Sequence, residues 1–169
     1  MTCSISFLHR LNIRYLIPVC FVLLSFTGCS QSLVSGHINM DNADIKPVVY
    51  LLEPSGFSSL VSSYECKVVD SAVVNAGGDF RFDQFSAPEN EGIFLLAIQK
   101  KGEKYFNRLD NDDADAGNYI PFLLKDGYSV LIRSDTKAFL RDAHIESSLE
   151  GNKDILALIT KRRNLFKQF

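Results

Sequence analysis

Val68-Val69-Asp70-Ser71-Ala72-Val73-Val74-Asn75-Ala76-Gly77-Gly78-Asp79-Phe80-Arg81-Phe82 decides the fold class. Two runs rich in Val and Phe flank an Asn-Ala-Gly-Gly-Asp tract, and Gly77 and Gly78 can adopt the positive φ that a tight bend needs. The pattern predicts a β-hairpin. On its second arm Phe80 and Phe82 alternate with Arg81 and Asp83, so one face seeks a core and the other meets water. Asp70-Ser71 inside the first arm predicts a bulge, with side chains bonding to nearby backbone.

Outward from this stretch the same reading repeats. A first strand is expected over 33–39, a polar bend over 40–44, and over 48–52 either a central strand buried on both faces or the core-facing strand of a sandwich. Pro54-Ser55-Gly56 ends it, and 58–63 reads as a loop before the strand over 64–74. Beyond the hairpin, 87–92 is a loop and 93–99 is the most apolar strand of the second half. Lys100-Lys101-Gly102-Glu103 turns into a short strand over 104–109. Strands over 120–125 and 128–133, joined by Asp126-Gly127, predict a second hairpin, and 143–147 a last strand. From Asn152, a competent N-cap, Ile155, Leu158, Ile159 and Phe166 follow helical spacing. Lys161, Arg162, Arg163 and Lys167 stand near the helix C-terminus, where cations suit the dipole. The expected fold is all-β: an antiparallel β-sandwich of about eight or nine strands with a C-terminal amphipathic helix. Such a helix must dock, on the sandwich or on another chain, because short helices are marginal alone in water.

The first 28 residues read differently. His9, Arg10 and Arg14 precede an uncharged apolar run from Tyr15 to Phe26, then Thr27-Gly28-Cys29, which together make a secretory signal. The run of 12 residues reaches only about 18 Å as a helix, short of a hydrocarbon core of roughly 30 Å. Thr27-Gly28-Cys29 resembles the lipobox of bacterial lipoproteins, with Phe26 where that motif usually has an aliphatic residue. The resemblance implies lipidation and cleavage at Cys29, and several acyl chains hold a membrane more firmly than one. Ser30-Gln31-Ser32 brings no acidic cluster, so the expected address is the periplasmic side of the cell envelope, at the outer membrane. The chain then divides into a signal peptide (1–28), a tether (29–35), a sandwich (36–150) and a helix (151–169).

Of four cysteines, Cys3 and Cys20 leave with the signal and Cys29 carries lipid, which leaves Cys66 and no internal disulfide. Alternation puts Cys66 on the face of Tyr64 and Val68, which favours a buried apolar role over a reactive thiol. With Arg10 and Arg14 removed, 16 of the 18 basic residues remain against 20 acids, a net charge of −4. No basic patch points to nucleic acid.

Catalytic motifs are absent from the sequence. Asp110, Asp112, Asp113 and Asp115 offer oxygens of the kind Ca²⁺ takes, yet lack the Gly and closing Glu of an EF-hand register. Turn chemistry alone accounts for Asp and Asn there. His37 and His144 have no sequence-adjacent partner, and no H-x-x-x-H, H-E-x-x-H, G-x-S-x-G or C-x-x-C pattern occurs. Without a Gly-rich phosphate loop, no cofactor is expected. Tyr50, Tyr64, Tyr105, Tyr119 and Tyr128 fit core and cross-strand positions as well as a groove.

Gly36-His37-Ile38, 48–52, 69–73 with 78–82, 124–132 and Glu150-Gly151-Asn152 together resemble a known domain. It is the domain of unknown function that precedes the thioredoxin domain in Gram-negative ResA/TlpA-like thiol-disulfide lipoproteins. The similarity covers almost all of the chain after Cys29 and rests on structural motifs. It implies that 151–169 corresponds to the start of a linker leading to a thioredoxin domain. Without C-x-x-C, dithiol exchange is carried over to no residue here. The expected role is a membrane-anchored, non-enzymatic binding or scaffold module, with a thioredoxin-like or other envelope protein as partner through the helix. The alternative is a redox accessory, or a fragment of such an oxidoreductase, using Cys66.

Overall fold

The computed structural model of the protein describes residues 34–56, 66–105 and 117–166. Its strands are β1 (Val34–Asn39), β2 (Ile45–Pro54), β3 (Cys66–Val73), β4 (Asp79–Phe82), β5 (Gly92–Lys100), β6 (Tyr119–Leu124), β7 (Val130–Asp135) and β8 (His144–Ser147), followed by helix α1 (Gly151–Phe166). They form two four-stranded sheets, ordered β4-β1-β7-β8 and β3-β2-β5-β6. Neighbours are antiparallel except β1 and β7, which run parallel with Val34 beside Val130 and Asn39 beside Asp135. The chain between them passes through the other sheet, which supplies the long connection that parallel neighbours need.

Neither predicted hairpin forms. β3 and β4 lie in different sheets, as do β6 and β7. The glycine bend itself is present: Gly78 N donates to Asn75 O (2.9 Å), Asn75 N donates to Asp79 O (2.9 Å), and Gly78 takes φ 91°. Asn75 Oδ1 also accepts from Gly77 N and Asp79 N, at 2.8 and 2.9 Å. Past that closing bond the arms separate. Val74 N donates to Pro47 O on the β2 side, while Gly78 O accepts from Ile38 N on β1. Turn chemistry fixes the bend, and pairing with β2 and β1 outcompetes pairing between the two arms. At the second bend Gly127 takes φ 79° and the chain again changes sheets.

One face of each sheet meets in the main core. Val34, Ile38, Phe80, Phe82 and Ile132 come from the first sheet, and Val49, Leu51, Phe94, Leu96 and Phe122 from the second, each 4% exposed or less. β2 and β5 are central strands, the first of the two arrangements expected for 48–52, with Val49, Leu51 and Leu52 buried and Val48 and Tyr50 half-buried. The outer face of their sheet carries a second apolar cluster of Leu52, Cys66, Leu95, Ala97 and Tyr119. The predicted bulge is present. Pairing shifts between Leu51 and Leu52, which face Asp70 and Val68, and Asp70 Oδ1 accepts from Ser71 N (2.7 Å). β1 begins at Val34, inside the stretch expected to be tether. Lys104 and Tyr105 are not in a strand; the rest of the strand expected over 104–109 lies outside the described residues.

Asn152 does not cap α1, which starts one residue earlier at Gly151. Its side chain is 2% exposed and grips the free edge of β6 instead. Asn152 Oδ1 accepts from Leu123 N (2.7 Å) and Asn152 Nδ2 donates to Leu123 O (3.1 Å), so one amide imitates the next strand. α1 belongs to the same compact unit as the sheets and packs on β6 and β8. Ile155, Leu156 and Ile159 are half-buried, whereas Leu158 and Leu165 are 67% and 51% exposed. Among the described residues no helix is long and apolar enough to cross a membrane.

Candidate functional site

The topology assembles a polar row that no local motif announces. Antiparallel and parallel pairing place Asp79, His37, Arg133 and His144 side by side across β4, β1, β7 and β8. Their neighbours Gly36, Phe80 and Ile132 face the core, so alternation turns this row to the outside. His37 Nδ1 donates to Asp79 Oδ1 at 2.9 Å. Arg133 Nη1 pairs with the Glu146 carboxylate, one diagonal step along β8. His37 and His144, both singled out in the sequence, thus share a row with one strand between them, about 10 Å apart.

Hydrogen bonding from His37 lowers the Asp79 pKa below its ordinary value; desolvation opposes it, and the imidazole charge and the bond to Asn75 add smaller contributions in the lowering direction. The side chains of His37 and Asp79 are 48% and 65% exposed, so water screens the pair. The dyad can hold a proton at Nδ1 and orient the ring. It lies on an open strand face, a setting suited to contact with a polar surface. His37→Ala is expected to raise the Asp79 titration midpoint toward that of an ordinary aspartate, read from carboxyl chemical shifts against pH. An unmoved midpoint would show that the pair does not persist in solution. Because the folded-state pKa is depressed, the stabilisation is present above the unfolded-state pKa and is lost as pH falls through the folded-state value.

A cavity of about 150 Å³ opens at the end of the sandwich where β1 finishes and β2 begins. Ile45, Ile98 and Phe139 provide apolar walls, while Lys100, Lys137, Glu103 and Asn118 stand among its polar lining, which carries both signs of charge. Lys137 Nζ donates to Asp41 Oδ2 (3.0 Å), which raises the lysine pKa and keeps the ammonium charged. Thr136, 6% exposed, braces this end, its Oγ1 donating to Asn39 O and accepting from Asn42 N, both at 3.0 Å.

On the outer face of the second sheet Gln99 is 2% exposed and bonded through both ends of its amide. Gln99 Oε1 accepts from Lys46 Nζ (2.8 Å) and Tyr50 OH (3.2 Å), and Gln99 Nε2 donates to Glu103 O (2.9 Å). Sequence reading missed this residue, since nothing local distinguishes a buried strand glutamine from an exposed one. Cys66 is 4% exposed and belongs to the outer apolar cluster with Leu52, Leu95 and Tyr119. Cys29 and the acidic residues Asp110, Asp112, Asp113 and Asp115 lie outside the described residues. Among the described residues no three His, Cys, Asp or Glu side chains converge as metal ligands. Comparison with family models, curated proteins and solved structures finds no match for this chain.

Proposed function

We propose that the chain is a periplasm-facing lipoprotein, anchored through Cys29, whose sandwich is a non-enzymatic binding or scaffold module. The observation that carries this reading is the polarity of β1. The chain from Cys29 enters at Val34, and the cavity opens near Asn39 at the other end of the strand, about 17 Å away. A domain tethered at one end therefore offers its cavity to the side away from the tether. The basic, apolar and lipobox segments of 9–29 support the anchor.

The burial of Cys66 supports a packing role over thiol exchange, because a nucleophilic thiol must be reachable. Alkylation of Cys66 in the folded protein is expected to be at least about a hundredfold slower than in denaturant, as an opening free energy near 3 kcal/mol requires. Equal rates in the two conditions would overturn the packing role and put the redox accessory in its place.

A further inference from the structure

We infer that α1 is a membrane-surface element: its free length lies on the anionic phospholipid of the same bilayer that holds the Cys29 anchor. The inference rests on the anchored reading above and adds what the helix does there.

Three observations carry it. Charge is segregated along the chain. Residues 29–150 hold 11 basic and 19 acidic side chains, a net of −8. Residues 151–169 hold Lys153, Lys161, Arg162, Arg163 and Lys167 against Asp154 alone, a net of +4. The cations gather where the carboxylates do not: between Lys161 and Phe169 there are four cations and no acid. The second observation is exposed apolar surface on the same helix. Leu158 and Leu165, two turns apart, are 67% and 51% exposed. Leucines next to cations on one helix are what an interfacial helix presents to headgroups and upper acyl chains.

The third observation is position. Val34, Val130 and Ser147 stand on one row across β1, β7 and β8. The tether enters the sandwich at that row, and α1 leaves it four residues after Ser147. Asn152 then fixes the root of the helix to Leu123 near the end of β6. Cys29 precedes Val34 by five residues, at most about 18 Å of extended chain. The anchor thus keeps the helix end of the sandwich close to headgroups, which raises the local concentration of lipid for α1. A symmetric contact between the helices of two copies would bring the same cations together, and like charges oppose that pairing.

The test uses the lipidated, processed protein in vesicles, with the exposed Asn164→Cys labelled by an environment-sensitive fluorophore and wild type as the control for labelling of Cys66. Vesicles are phosphatidylcholine alone, or the same with phosphatidylglycerol, each with and without brominated acyl chains. In phosphatidylglycerol vesicles the emission is expected to shift to the blue and to be quenched by bromine; in phosphatidylcholine alone it is not. Replacing Lys161, Arg162, Arg163 and Lys167 by Gln is expected to weaken the contact about fivefold per cation, enough to abolish quenching.

Protein that floats with the vesicles but keeps an unquenched label overturns the inference and leaves the anchor standing. Equal quenching in the two lipids also overturns it, because charge then plays no part. A blue shift in detergent without bilayer that grows with protein concentration assigns the helix to a second copy and overturns it as well. Protein that does not float marks failure of the Cys29 anchor, and the inference falls with it.

Discussion

Gly36→Val is expected to unfold the domain or cost it about 3 kcal/mol or more, a large share of the 5–15 kcal/mol typical of a domain. Gly36 sits mid-strand between β4 and β7, opposite Phe80 on one side and Ile132 on the other. A Cβ there would overlap the Ile132 carbonyl oxygen and come within 2.6 Å of the Phe80 ring. Phe80 is 4% exposed and packs edge-on against Phe82, with centroids 5.7 Å apart. A larger residue must therefore part β1 from β7 or push Phe80 out of the core, and neither neighbour can give cheaply. Urea denaturation of wild type and variant measures the loss. An unchanged midpoint would mean that β1 does not run beneath the Phe80 ring.

Asn152→Leu has the second largest expected effect, about 2–4 kcal/mol, because it leaves two backbone groups of Leu123 without partners at a part-buried edge. Leucine keeps the volume and loses both bonds. The loss is local as well as global. Hydrogen exchange of the Leu123 amide, protected in wild type, is expected to become fast in the variant before the core amides change. Asn152→Asp separates the two bonds, since its carboxylate can still accept from Leu123 N but cannot donate to Leu123 O. Continued protection of Leu123 in Asn152→Leu would show that α1 is held by packing of Ile155, Leu156 and Ile159 instead.

The sequence carries the strands more plainly than their partners. Alternation at Phe80 and Phe82, and the unbroken apolar runs of β2 and β5, are local consequences of a face that must be buried, so they can be read one strand at a time. The Asn75–Gly78 bend is legible for the same reason: Asn75 and Gly78 carry its chemistry between them. Whether a bend continues into a ladder is not local. Pro47 and Ile38, far from the bend in sequence, take the hydrogen bonds that would have joined its arms. The polar row was hidden by distance, because 42 residues separate His37 from Asp79 and only the parallel pairing of β1 with β7 brings Arg133 beside them. Asn152 shows the limit most sharply. Its side chain fits an N-cap and a strand edge equally well, and the nearby edge of β6 decides between them.

The anchor at Cys29 is the premise on which the orientation of the sandwich, the outward cavity and the helix contact all depend, and the intact mass of protein extracted from membranes tests it most directly. The expected product is a chain that begins at Cys29, lacks residues 1–28, and is heavier than its sequence by a diacylglyceryl group and one further acyl chain. A chain that begins elsewhere, or that begins at Cys29 with an unmodified thiol and amine, would contradict it.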